Sequence, residues 1–260
     1  MLDTQDFALF MNYRRFFLSA SIVVVAVLTS SFASRSALGL VIDSCRFNLS
    51  VTGSTFPCLK IVQSPRPLAA YAILREPTHK ERTILTPLDA ISGIEDPRLM
   101  VTNGPNYFDD AWKERSIILD AYPQKDEWLD AALAINAATN RTQDQLHIHI
   151  GCVSTRFKFA LNGKKDEIDD LSFRKIRTNT PWRSFWVKFY AADNLSDINP
   201  FHIVAEDVPG ARENMQDIAI GIVGGSSRSG QRGFYILAQL VGDRGFQGSA
   251  EDLLDPKCRR

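Results

Sequence analysis

Gln145-Leu146-His147-Ile148-His149-Ile150 alternates polar and apolar side chains, and this alternation decides the fold prediction. Successive side chains of a β-strand point to opposite faces, so Gln145, His147 and His149 share one face and the aliphatic residues share the other. We therefore predict a strand over residues 145–152 that is buried on its aliphatic face. Neutral imidazole is a base or nucleophile near neutral pH, and imidazolium binds phosphate. The strand is thus the first candidate for a reactive site.

Length and charge limit the class of protein. The chain has 260 residues, of which 45% are hydrophobic, which is enough for one sizeable core. Its 30 basic and 30 acidic residues cancel. The chain therefore has no overall positive charge that would predict binding to nucleic acid or to an anionic membrane surface.

The N-terminus has the pattern of a targeting segment. Arg14 and Arg15 precede an uncharged apolar stretch, Phe16 to Ala33, followed by small residues. A cleaved signal peptide and an uncleaved membrane anchor both fit this length. A buried core helix fits less well, because the two arginines would abut the core. We predict a signal or anchor over residues 1–35 and a single domain over 36–260, across the membrane from the basic end.

Four cysteines follow this segment: Cys45, Cys58, Cys152 and Cys258. An even number beyond a signal indicates disulfides in an oxidising compartment. Three pairings are possible. We favour a short Cys45–Cys58 loop and a Cys152–Cys258 bond that ties the tail to the histidine strand, with four unpaired thiols as the alternative. The chain contains no CxxC motif, so the sequence does not predict a structural zinc site.

The remaining pattern predicts an α+β fold, an antiparallel sheet with flanking helices. Residues 36–66 are predicted to be a loosely structured lead-in, and residues 162–180 a surface helix and loop. Helices are predicted over 106–121 and 208–217. Strands are predicted over 71–74, 83–86, 131–137, 145–152, 186–191, 218–223 and 234–241. The glycine-rich stretch 224–233 lacks P-loop spacing, so a hairpin loop is favoured over a phosphate cradle.

One block carries a family resemblance. Residues 132–152 read ALAINAATNRTQDQLHIHIGC and combine Asn136, the loop triplet Arg141-Thr142-Gln143, the alternating histidines and Cys152. This combination resembles the histidine-triad (HIT) superfamily, and within it the membrane-anchored bacterial CDP-diacylglycerol pyrophosphatases. Matches at 105–112 and 199–212 extend the resemblance over most of the chain. It implies a HIT-like fold, a position at the bacterial inner membrane facing the periplasm, and a possible homodimer.

The resemblance also implies a reaction: CDP-diacylglycerol and water give CMP and phosphatidate. His147 aligns with the central histidine of the triad, which is the nucleophile on the α-phosphate of the nucleotide. His149 aligns with the third histidine, which contacts phosphate. The intermediate would be a His147-nucleotidyl adduct, and no metal or cofactor is implied.

The same resemblance assigns substrate-binding roles. Asn136 would orient the histidines or bind phosphate, and Arg141, Thr142 and Gln143 would line the phosphate site. Gln145 occupies the position of the first triad histidine. A glutamine donates a hydrogen bond to phosphate but cannot carry a proton, so this departure concerns rate and substrate preference more than reaction class.

Other interpretations stay open. Two histidines on one strand face are also a metal-ligand pair, with His202, His79 or an aspartate as the third ligand. They could also be satisfied structural residues in a packed sheet. A HIT-type hydrolase or nucleotidyltransferase acting on soluble nucleotides is the second enzyme hypothesis. A non-catalytic nucleotide-binding envelope protein is the third hypothesis, and Gln145 is the feature that favours it.

Overall fold

A continuous antiparallel sheet organises the computed structural model, which describes residues 35–76, 82–168 and 170–258. The predicted signal or anchor segment up to residue 34, and His79, lie outside the described residues. Within the described ranges, no helix is both apolar enough and long enough to cross a membrane.

Ten strands from the described part of the chain form the sheet, and every pairing among them is antiparallel. They are β1 (Lys60–Val62), β2 (Tyr71–Arg75), β3 (Thr83–Pro87), β4 (Ala131–Ile135), β5 (Ile148–Val153), β6 (Arg174–Arg177), β7 (Ser184–Tyr190), β8 (Ile218–Ser226), β9 (Arg232–Leu240) and β10 (Leu254–Asp255). Their order is β1-β2-β3-β5-β4-β8-β9-β7-β6. The short β10 pairs with the end of β5 beyond the residues that pair with β3. The antiparallel pair predicted from residues 131–152 is confirmed as β4 and β5.

The two faces of the sheet differ in content. In β5, His149 lies opposite Ile84 of β3 and Ala134 of β4, so these three side chains share what we call the histidine face. Ile148 and Ile150 point to the other side, the packed face, which contains the largest buried cluster of the described residues. The alternation read from the sequence therefore holds for β5, although the strand begins at Ile148 and leaves Gln145 and His147 just before it.

In the described residues, five helices cover these faces: α1 (residues 35–52), α2 (Tyr107–Lys113), α3 (Ser116–Leu119), α4 (Thr155–Gly163) and α5 (Pro200–Asp207). Helices α2, α3 and α5 contribute to the packed-face cluster, including Trp112 and Phe201. Helices α1 and α4 pack on the histidine face. The predicted α+β class, an antiparallel sheet with flanking helices, is confirmed.

The predicted loose lead-in over residues 36–66 is wrong. Leu38, Ile42 and Cys45 recur at helical spacing and are buried against Leu74 and Ile84 of the sheet. Burial of this stripe makes residues 35–52 a helix, and β1 follows at Lys60–Val62.

Three further elements differ from the prediction. The helix predicted over 106–121 is two short helices, α2 and α3. The α-helix predicted over 208–217 is not found, and α5 instead lies before it, where Asn199 caps the Phe201 amide and Pro200 fits the first helical turn. The Val208-Pro209-Gly210 sequence follows this helix, with Gly210 at φ +74°, and a 3-10 segment occupies Arg212–Asp217. Strand β6 lies within the predicted surface helix and loop over 162–180.

Both favoured disulfides are confirmed. Cys45–Cys58 joins α1 to the loop before β1, and Cys152–Cys258 joins β5 to the C-terminal segment. No described cysteine is free.

Candidate active site

The ring of His147 is fixed in one tautomer by its backbone. Its Nδ1 lies 2.7 Å from the carbonyl oxygen of Gln145. A carbonyl oxygen only accepts, so Nδ1 carries the proton and donates. In the neutral ring, Nε2 then holds the lone pair, which is the form a nucleophilic imidazole needs.

Burial keeps His147 neutral. Only 8% of the residue is exposed. Burial, together with the neighbouring charge of His149, lowers the pKa of His147 to about 4, and the hydrogen bond to Gln145 opposes this only in part. The two rings lie edge to face with their centroids 5.1 Å apart. His147 is therefore unprotonated throughout the neutral pH range.

His149 lies between two carboxylates. Its Nδ1 is 2.5 Å from Oε1 of Glu76, and its Nε2 is 3.5 Å from Oε1 of Glu251. Nε2 is buried and has no hydrogen-bond partner among the described residues. The Glu76 bond orients the ring and leaves Nε2 as an available polar atom in the site.

Arg82 and Asn136 hold the two carboxylates in place. Arg82 Nη1 is 2.9 Å from Oε2 of Glu251, and its Nε is 3.4 Å from Oε2 of Glu76. Asn136 donates to Glu251 Oε1 at 2.9 Å and accepts from the Ala250 amide at 2.7 Å. Burial favours the neutral form of Glu251, but His149, Asn136 and Arg82 outweigh it and lower the pKa of this carboxyl. Glu251 is thus an anion in the site.

Four separate chain segments deliver this network to the histidine face. Glu76 follows β2, Arg82 precedes β3, and Asn136 follows β4. Glu251 comes from the C-terminal segment, which β10 and the Cys152–Cys258 bond hold against β5.

The sequence prediction missed Glu76, Arg82 and Glu251. A signal for the first two was present, since strand alternation places Glu76 on the face of Leu74 and Arg82 on the face of Ile84. The signal for Glu251 was the favoured Cys152–Cys258 pairing, which brings the tail to the histidine strand.

The predicted substrate-binding residues of the loop lie beside the histidines with partners of their own. The Gln145 amide donates to the carbonyl oxygens of Pro87 and Asp89 at 2.9 and 3.0 Å. Arg141 forms an ion pair with Glu95, with both carboxylate oxygens within 2.7 Å of Nη1. These bonds fix the loop next to the site.

The loop is also joined to α1. Gln143 accepts from the Leu38 amide at 2.8 Å through Oε1. Asp144 forms a bidentate ion pair with Arg35 at 2.7 and 2.8 Å. Thr142 is exposed. Asn136 and His149 thus belong to one network, whereas Arg141 and Gln143 have separate partners in Glu95 and Leu38.

One described cluster has the residue types of a metal site: Glu76, His149 and Glu251, whose ligand atoms all lie within 4.8 Å of one another. The imidazole ring separates the two carboxylates, however, because each faces a different ring nitrogen. Arg82 also supplies positive charge to both. The geometry suits a clamped histidine better than one shared ion. His202, a candidate third ligand, instead bonds Met100 and Thr102.

The fold and site define an α+β protein with a buried neutral histidine beside a carboxylate-clamped one. A model of the family described as CDP-diacylglycerol pyrophosphatase matches residues 33–260. A CDP-diacylglycerol pyrophosphatase from Yersinia pestis is 31% identical over 257 residues, 95% of each chain. The chain belongs to the CDP-diacylglycerol pyrophosphatase family.

A structural comparison adds a weaker likeness. A yeast Ap4A phosphorylase, crystallised with Ap4A, is 11% identical with a TM-score of 0.38, covering 74% of this chain and 65% of the other. A likeness at this level supports no conclusion about fold or substrate.

Proposed function

We propose that this chain hydrolyses the pyrophosphate bond of CDP-diacylglycerol to CMP and phosphatidate, through a nucleotidyl intermediate on Nε2 of His147. Family membership supports the substrate class. The observation that carries the mechanism is the His147 Nδ1 bond to the Gln145 carbonyl oxygen, because it leaves the Nε2 lone pair free in a ring that stays neutral.

Two displacements complete the reaction. Nε2 of His147 attacks the phosphorus attached to cytidine, a P–N bond forms, and the bond to the bridging oxygen breaks, so that phosphatidate departs as a phosphate monoester. Water then attacks the same phosphorus, the P–N bond breaks, and CMP leaves with the ring restored. A covalent intermediate divides one difficult displacement into two easier ones.

His149 stabilises the charge that develops on phosphoryl oxygens. Its Nε2, which has no hydrogen-bond partner among the described residues, contacts the phosphate, and the Nδ1 bond with Glu76 fixes the ring for this role. Arg82 keeps both carboxylates in position. Asn136 orients Glu251, which is a positioning role within the binding site.

The loop residues Arg141, Thr142, Gln143 and Gln145 complete the phosphate side of the site. Exposed Thr142 offers a hydroxyl to the substrate. We propose that Arg141 contacts the phosphate through its guanidinium, while Gln143 and Gln145 fix the loop through their bonds to the Leu38 amide and to the Pro87 and Asp89 carbonyl oxygens. Gln145 takes the position of the first triad histidine. Because both of its N–H groups donate to the Pro87 and Asp89 carbonyl oxygens, it shapes the loop and does not carry a proton.

We also propose a compartment for the protein. Two disulfides are typical of a protein in an oxidising compartment. Together with the N-terminal apolar stretch they support a location at the bacterial inner membrane, facing the periplasm. Homodimer formation stays a prediction from the family resemblance.

The test uses the full chain with disulfides intact and CDP-diacylglycerol labelled at the cytidine-side phosphate, in detergent. Wild-type protein should release labelled CMP and, after a rapid alkaline quench, carry label on His147. His147→Ala should retain its fold and neither turn over nor become labelled. Turnover by a folded His147→Ala variant would overturn the nucleophile. Wild-type protein that is folded but inactive would overturn the substrate.

A further inference from the structure

Exposed apolar side chains are concentrated in one short part of the chain. Nine large hydrophobic residues are exposed in the described ranges, and five of them lie within residues 35–59. We call these five the apolar patch: Leu40, Phe47, Val51, Phe56 and Leu59. Their exposed fractions run from 44% to 73%. This clustering differs from the scattered single hydrophobics of an ordinary surface.

The patch occupies the outer side of α1. At 100° per residue, Leu40, Phe47 and Val51 fall on one side of the helix, opposite Leu38 and Ile42, which are buried on the sheet. The Cys45–Cys58 bond holds the following loop alongside the helix, and this loop presents Phe56 and Leu59. The disulfide therefore joins helix and loop into one apolar surface.

We propose that the apolar patch inserts into the interfacial layer of a lipid bilayer. The uncharged stretch Phe16 to Ala33 ends two residues before Arg35, the first described residue of α1. The most apolar segment of the sequence is therefore directly joined to this helix. The exposed Asp43 and Arg46 on the helix cancel in charge. Binding therefore depends on buried apolar area, as in an interfacial amphipathic helix, and not on anionic lipid.

The position of the patch gives it a role in catalysis. The same helix contacts the loop beside the histidines, through Arg35 with Asp144 and the Leu38 amide with Gln143. Docking the patch would thus place the active site at the bilayer surface. This step rests on the proposed function, because only a lipid substrate is presented there; the insertion itself does not.

The first test measures insertion directly in the full chain. Because all four natural cysteines are in disulfides, a single added cysteine carries an environment-sensitive fluorophore. Val51→Cys and Phe47→Cys are compared with Val101→Cys, a valine that is 54% exposed among residues that pack on the opposite face of the sheet. With phosphatidylcholine vesicles, quenchers in the lipid tails should reduce patch fluorescence at least threefold and leave the Val101 probe unchanged.

The alternatives give different signals. Protection of the patch probes from an aqueous quencher without quenching by the lipid would place a second copy or another segment on the patch and overturn the proposal. Quenching only when phosphatidylglycerol is present would indicate charge-driven binding and also overturn it. Equal quenching at Val101 would show nonspecific adsorption, which contradicts a defined face.

A second test links the patch to turnover. Phe47→Asp should raise the apparent KM for CDP-diacylglycerol in vesicles at least fivefold and leave kcat in detergent micelles unchanged, while Val101→Asp should alter neither. An unchanged vesicle KM would overturn the catalytic role. Lipid quenching of an inactive protein would retain the insertion and reject the proposed function, so the two failures are distinguishable.

Discussion

At the scale of single residues, the site depends on two histidines that face one another in different surroundings. His147 has a backbone carbonyl as its partner and a low pKa, whereas His149 faces carboxylates on both sides. The carbonyl partner suits His147 to act as the nucleophile, whereas the carboxylates beside His149 fix the orientation of that ring. Each role therefore makes its own prediction.

The pH dependence of His147 is the first prediction. Its pKa is about 4, below the ordinary 6.5, so the neutral nucleophile should persist down to about pH 5 and kcat/KM should fall as pH drops through 4. Pre-steady-state formation of the labelled intermediate, with circular dichroism at each pH, measures this. An acid limb near pH 6.5 in a folded protein would contradict a buried neutral His147.

The lowered pKa of His147 should also make the free energy of unfolding depend on pH. Because the folded pKa lies below the unfolded one, His147 costs nothing above pH 6.5 and opposes folding as pH falls from 6.5 to 4. The free energy of unfolding of His147→Asn should therefore rise relative to that of wild type by about 2.5 kcal/mol between pH 7 and pH 4.5, because the pKa of His147 falls from 6.5 to about 4 on folding. Urea titrations of both proteins at pH 7 and 4.5 measure the difference. A constant difference would argue against the shift.

The carboxylates around His149 give a third prediction. Glu76→Gln and Glu251→Gln weaken the contacts that orient the His149 ring and should each lower kcat on the order of 10²-fold. Glu114→Gln is the matched control, since Glu114 is also buried but bonds Tyr71 and Lys60. That variant should lose stability and keep its kcat per folded molecule. Comparable loss of kcat in all three would mean that the effect is structural.

At the scale of elements, the sequence predicts strands better than helices. Residues 71–74 and 218–223 alternate or form continuous apolar runs, and each becomes a strand. Helix α1 was missed because its buried stripe of Leu38, Ile42 and Cys45 is short and is interrupted by exposed residues. These three side chains stabilise a helix only because the sheet buries them, and that contact is not visible in the local sequence.

The candidate site was predictable only in part, for a related reason. His147 and His149 follow from local alternation, but Glu76, Arg82 and Glu251 meet them through strand pairing and a tail 102 residues beyond His149. No local sequence pattern predicts contacts between residues that are so far apart in the chain. The Cys152–Cys258 bond is the one long-range constraint that the sequence offered.

That disulfide gives the prediction at this scale. Removing Cys152–Cys258 with serines frees a long loop and should cost about 5 kcal/mol, whereas removing Cys45–Cys58 should cost about 3 kcal/mol in the loop-entropy model. Only the first change releases the segment that carries Glu251, so only it should lower kcat in detergent. Denaturation curves and turnover under stabilising conditions measure both. Equal kcat values for the two variants would contradict a role for the tail in the site.

At the scale of the whole molecule, stability and chemistry are divided between the two faces of one sheet. The packed face holds the largest cluster, including Ile148, Ile150 and Ile222, under α2, α3 and α5. The histidine face carries the charged network between α1 on one side and the C-terminal segment on the other. Alternation along a strand lets adjacent residues serve these different purposes.

This division predicts opposite effects for substitutions on the two faces. Ile222 is fully buried on the packed face, and Ile222→Ala should cost about 2–5 kcal/mol because it leaves a cavity, with kcat per folded molecule unchanged. His147→Ala should abolish turnover and cost far less stability, because it removes a buried polar ring. Urea titration and active-site labelling of the folded fraction separate the two quantities. Loss of labelling in folded Ile222→Ala would mean that the packed face shapes the site through the sheet, because a strain on one side would then be transmitted to the histidines on the other.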